Sequence, residues 1–122
     1  MEIQAKLYIQ ENILAGKFQL VWSYILQFES EQNPYINHQH EIRKWKSQSS
    51  HWVTASESII EKAKEYQATG LKVKDALHCA CAFSVKADYF ITTDKQLIKT
   101  ARKIIDLNVV NPLTFIQEDN SV

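Results

Sequence analysis

The chain has 122 residues, 45% of them hydrophobic, and its 14 basic residues balance 14 acidic ones. This length indicates a single domain, 1–122, that can bury a core without disulfides or structural metals. Zero formal net charge removes any bulk attraction for nucleic acid, so RNA binding would need a local patch. No apolar run of about 18 residues is present to span a membrane, and no basic-then-apolar leader opens the sequence.

In chain order, Ile3, Leu7 and Leu14 predict an opening amphipathic helix, stopped at Gly16. Residues 18–22, Phe-Gln-Leu-Val-Trp, are rich in β-formers and predict a short strand. Ser23 is the expected N-cap of a helix over 24–32, which Asn33-Pro34 ends. A polar helix over 38–49 follows, with Ile42 and Trp45 on one face, and then a weak strand over 52–54. Ser56 caps a helix that turns Ile59, Ile60, Ala63 and Tyr66 inward and closes at Gly70. Residues 72–85 predict a helix dense in small side chains (Ala76, Cys79, Ala80, Cys81, Ala82), suited to lying close against a sheet. The strongest strand is 89–92, Tyr-Phe-Ile-Thr. Asp94 caps a helix over 95–103, 108–110 is the last strand, and Pro112 opens a short final helix at its first position. The tail 117–122 alone stands out as a candidate for disorder.

The only cysteines, Cys79 and Cys81, point about 200° apart on a helix and are too close in sequence for a relaxed disulfide. Buried free thiols in a reducing compartment are the expectation, which makes the chain a cytoplasmic protein. Two thiols and scattered histidines argue against a zinc site.

Strands alternating with helices imply crossover connections and a parallel sheet with helices on both faces. Ligands of such sheets bind outside the carboxyl ends of the strands. Asp94 follows one strand directly, and Glu29 lies one to two helical turns beyond another. Asp75 stands in the first turn of the helix that precedes the strand leading to Asp94. Oxygen-rich sites of this kind hold hard divalent cations. Two-metal hydrolysis uses several carboxylates around ions about 3.5–4 Å apart, which activate a water and stabilise the leaving oxygen.

Each acid also has a plainer reading. Asp75 complements a helix dipole, Asp94 is a good N-cap, and Glu29 beside Glu31 belongs to a solvated helix face. The functional case rests on their joint placement. His78, one turn after Asp75 on the same face, either contacts that carboxylate or a substrate, or is a packed histidine with one satisfied ring nitrogen. Thr92 and Thr93 either hold a water or a phosphate near Asp94 or simply end a strand. Lys72, Lys74, Lys95 and Lys99 form a basic rim for RNA phosphates or a solvated surface. Trp22, Trp45 and Trp52 are read as core or interface residues, with base stacking the lesser role.

Three blocks carry a family resemblance: Asp75-Ala76-Leu77-His78, the run from Ala87 through Asp94-Lys95, and Val109-Val110-Asn111-Pro112 with Phe115-Ile116. In this order and spacing they resemble PIN-domain nucleases of the bacterial toxin-like type. Upstream, Leu20 through Glu29 (LVWSYILQFE), followed by Asn33-Pro34, is similar to the family's second strand and helix, so the resemblance covers nearly the whole chain. It implies a PIN-like three-layer α/β domain with a parallel sheet flanked by helices. It implies hydrolysis of RNA phosphodiester bonds with Mg²⁺ or Mn²⁺ held by Glu29, Asp75 and Asp94; the weaker substrate contacts, from His78, Thr92, Thr93 and Lys95, rest on the reading of those residues alone. Many such domains are toxins neutralised by an antitoxin, so RNA, an antitoxin protein and a second copy in a homodimer are the expected partners.

The departure is at the start. PIN domains open with a strand ending in an aspartate, usually the foremost metal ligand, whereas Met1 falls inside what resembles the following helix, and Glu2 has no strand before it. That strand normally lies in mid-sheet, so its absence is expected to leave unpaired backbone groups on its neighbours. The expectation is a PIN-like metal-dependent ribonuclease with the first strand missing. The alternative is a degenerate, non-catalytic PIN-like module that binds RNA or a protein partner.

Overall fold

The computed structural model describes residues 2–120. Met1, Ser121, Val122 and the side chains of Glu2 and Ile36 lie outside the described residues, and with them the readings of the chain start and of the last two tail positions. The fold is mixed α/β. In order it runs α1 (Glu2–Leu14), β1 (Val21–Ser23), α2 (Tyr24–Glu31), α3 (Ile36–Ser47), β2 (His51–Val53), α4 (Glu57–Ala68), α5 (Val73–Ser84), β3 (Phe90–Ile91), α6 (Lys95–Ala101), β4 (Val109–Val110) and α7 (Pro112–Asn120). Among the described residues no helix is long and apolar enough to cross a membrane.

Local chemistry fixes most boundaries. The Ser23 hydroxyl accepts from the Leu26 N–H at 3.2 Å and the Ser56 hydroxyl from the Ile59 N–H at 3.3 Å. Both satisfy amides that a helix start leaves without partners. Gly16 and Gly70 follow α1 and α4 with φ of 82° and 113°, a region where a side chain is strained. The expected disorder over the tail is corrected as far as Asn120, because α7 continues to that residue.

Two side-chain readings are corrected by packing. Ile3, Leu7 and Leu14 face outward at 76%, 52% and 49% exposure, while Ala5 is the buried residue of α1. Ile60 is exposed, so α4 turns Ile59, Ala63 and Tyr66 inward without it. Of the tryptophans, Trp22 is buried but Trp52 is about half exposed. The first strand is shifted as well, from 18–22 to Val21–Ser23. Phe18 is instead drawn into a ring cluster, edge-on to Phe115 at 5.0 Å and 6.5 Å from Tyr8.

The core is built around α4 and α5. Ala76, Cys79 and Ala80 have no solvent exposure, and Ile59, Ala63 and Tyr66 are nearly as buried. Alanines at the contact allow the helices to approach closely, and each large apolar side chain buried there contributes about 1.5–3 kcal/mol. Both cysteines are free and buried, as expected. Burial pushes the Cys79 thiol up to about 12, with the Asp75 charge adding to it. It pushes Cys81 up to about 11, against a lowering hydrogen bond with Ser23. Neither thiol forms a thiolate near neutral pH.

The strand pairing differs from a single sheet. β1 pairs with β2 in parallel, Trp22 opposite Trp52. β3 pairs with β4 in parallel, Ile91 opposite Val110. The two pairs form separate two-stranded sheets. Both pairings are parallel, as the alternation of elements requires, but the described residues supply no strand that joins them.

Candidate active site at the strand ends

β1 passes directly into α2 through the Ser23 cap, which sets Glu29 in the second turn of that helix. α5 follows Lys72, whose side chain makes no cap, and Asp75 stands in its first turn. His78 lies one turn further along. Its Nε2 is 2.5 Å from Glu29 Oε1, a contact between residues 49 positions apart. A carboxylate only accepts, so this ring nitrogen carries the proton. The same ring lies 6.3 Å from that of Phe90 in β3, so His78 touches both α2 and the second strand pair. His78 is thus a packed histidine with one ring nitrogen satisfied, one of its two expected roles, and the partner is Glu29 in place of Asp75. Helical spacing offered Asp75 as the near partner, and nothing local to either residue marked the longer-range one.

Asp75 is half-buried and makes no side-chain hydrogen bond or ion pair among the described residues. Asp94 caps α6, and its Oδ1 accepts from the Gln96 and Leu97 amides at 3.0 Å each. Its own N–H donates to the Thr92 hydroxyl at 3.1 Å, so Thr92 shapes the turn that carries Asp94. Thr93, Lys95, Lys72, Lys74 and Lys99 are exposed, the lysines as solvated cations.

The fold brings Glu29 to His78 and, through it, to the face of α5 that begins with Asp75. It does not gather Glu29, Asp75 and Asp94. Among the described residues no group of three His, Cys, Asp or Glu side chains is close enough to hold a metal ion. As folded here the donors do not fit a Mg²⁺ or Mn²⁺ centre. Glu29 is engaged by His78, one oxygen of Asp94 is engaged by two amides, and only Asp75 has an uncommitted carboxylate.

A second ionic cluster escaped the sequence reading. Asp106, just before β4, accepts from Lys62 and, at 2.9 Å, from the Tyr66 hydroxyl, both on α4. Lys62 also lies over the Phe83 ring at 4.2 Å. The carboxylate holds its lysine in the charged form, so the Lys62 pKa is raised. No local pattern links residues 44 positions apart, and the cluster clasps α4 to the loop after α6.

Set against known protein families, curated proteins and solved structures, the chain matches no family model, no curated protein and no solved structure.

Proposed function

We propose that the chain is a PIN-like domain of the metal-dependent ribonuclease type, acting on RNA phosphodiester bonds. The observation that carries the reading is the 2.5 Å contact of His78 with Glu29. It sets the acid that follows β1 beside the helix whose first turn holds Asp75, on the strand-end side where open parallel folds bind ligands. Asp94, directly after β3, is the third acid of this reading. Two parallel strand pairs flanked by helices also suit a three-layer arrangement that lacks its middle strand.

In this reading Glu29, Asp75 and Asp94 would hold Mg²⁺ or Mn²⁺, which would supply an activated water for the hydrolysis. His78, Thr92, Thr93 and Lys95 then face the substrate, with the exposed lysines drawing RNA phosphates. An antitoxin protein or a second copy of the chain is the corresponding protein partner. A second reading, a non-catalytic PIN-like module that binds RNA or protein, is favoured by one specific observation: Glu29 and Asp94 already have protein partners.

The test is cleavage of a structured RNA by the purified chain with Mn²⁺, beside an Asp75→Asn variant prepared identically. A ribonuclease loses at least about a hundredfold in the variant, beyond the 10–100-fold typical of residues that only support a ligand. Equal traces in both samples, or no cleavage in either, leave the non-catalytic module as the function.

A further inference from the structure

β1 pairs only with β2 and β3 only with β4 among the described residues. Each pair therefore keeps strand edges without a partner strand. On β3 the orientation is defined: the Phe90 N–H donates to the Asn108 carbonyl and the Thr92 N–H to the Val110 carbonyl, each at 2.9 Å. Alternation along a strand then turns the N–H and C=O of Ile91 away from β4. Between the two pairs runs a groove of about 680 Å³, with Leu20 and Val21 on one side, Phe90 and Ile91 on the other, and Ile13 and Val85 contributed by the helical parts.

An unpaired strand edge is a row of backbone donors and acceptors that templates another strand. Main-chain bonds to such an edge supply affinity, and alternate side chains supply specificity. A strand within a sheet occupies on the order of 160 Å³ per residue, from its rise, its lateral spacing and the sheet thickness. The groove thus matches about four extended residues. Charge narrows the occupant further. Lys6, Lys17 and Lys86 line the groove against one acid, Asp88. Lys17 is held by Asp119 at 3.2 Å, while Lys6 and Lys86 have no ion pair among the described residues.

We propose that this groove is an acceptor for one extended strand of a partner polypeptide, with alternating apolar side chains and acidic flanks, hydrogen-bonded between the two strand pairs. The inference stands on the pairing and the groove, independently of the ribonuclease reading. RNA would also be drawn to the lysines, but apolar walls and open backbone edges favour a strand.

The experiment adds short peptides of alternating valine and threonine, flanked either by glutamates or by lysines, to the isotope-labelled full chain. Chemical shifts and hydrogen exchange are followed by NMR. Glutamate-flanked peptides protect the Ile91 amide and the β1 amides, and bind about tenfold more tightly than lysine-flanked ones. Ile91→Pro removes the groove-facing donor but keeps the bonds of Phe90 and Thr92 to β4, and weakens binding on the order of tenfold. Lys86→Glu, which leaves β3 untouched, reverses the flank preference. The proposal is overturned if no peptide binds, or if both variants bind as the parent does. It is also overturned by a dimer in light scattering that Ile91→Pro abolishes, which would assign the groove to a second copy. Perturbation of these amides by an RNA oligomer and by no peptide would assign it to nucleic acid.

Discussion

Helices α4 and α5 bury Ile59, Ala63, Tyr66, Ala76, Cys79 and Ala80 to 4% exposure or less, whereas both residues of β3 stay only half-buried. The helical region is clasped further by Lys62, Tyr66 and Asp106. The strand region ends in open edges on either side of a groove. A helix satisfies its backbone within itself, so its packing is complete once one apolar face is covered. A strand satisfies only half of its backbone on each edge, so its completion depends on a neighbour. The candidate acids straddle this division: Asp75 belongs to α5 of the closed region, whereas Glu29 is held by His78, which lines the groove.

The largest expected effect contrasts the two regions directly. Ile59→Ala, in the closed core, costs about 2–5 kcal/mol in urea unfolding. Ile91→Ala, on the open pair, costs less than half of that. Equal losses would mean that the strand region is as tightly packed as the helical one.

A smaller effect separates the two roles of Asp94. Asp94→Ala removes the α6 cap and costs about 1 kcal/mol, whereas Asp94→Asn keeps an oxygen on the same amides and costs a few tenths. In the cleavage assay the order changes, because Asn also lacks the anionic ligand and both variants lose activity. If Asn retains full cleavage, Asp94 is a cap and nothing more.

The smallest effect concerns the clasp. Burial raises the Asp106 pKa, but hydrogen bonds from Lys62 and Tyr66 outweigh it and hold the carboxyl below its ordinary value. A folded-state pKa lowered in this way contributes stability that is present above the unfolded value of about 3.9 and is lost as pH falls through the folded value. With 35% of the Asp106 side chain exposed, solvent screening limits the contribution to below about 1 kcal/mol. The deficit of Asp106→Asn in thermal unfolding is therefore present at neutral pH and shrinks as pH falls below the ordinary carboxyl value of about 3.9. A deficit that persists in acid would assign the role of Asp106 to shape instead of charge.

Element by element, the fold was legible where the signal is local. Ser23, Ser56 and Asp94 cap as expected because a side-chain oxygen reaches amides only two or three positions ahead. Gly16 and Gly70 end their helices because few other residues tolerate that backbone. Phe18 looked like a strand residue, but ring contacts with Phe115, far along the chain, claimed it. The candidate site was legible as residue types and order, and less so as contacts. His78 was singled out, yet its partner is Glu29 on another helix.

The sequence alone determined the number and order of the elements, their caps, the parallel sense of the strands and the burial of both cysteines, since each follows from short-range sterics, hydrogen bonding or apolar periodicity. The tertiary structure decided which apolar stripe faces inward, that the strands form two pairs in place of one sheet, and that Glu29 meets His78 while Asp94 stays with its own helix. These depend on what lies across the gap from each residue, and a side chain's own sequence neighbourhood carries no record of that partner.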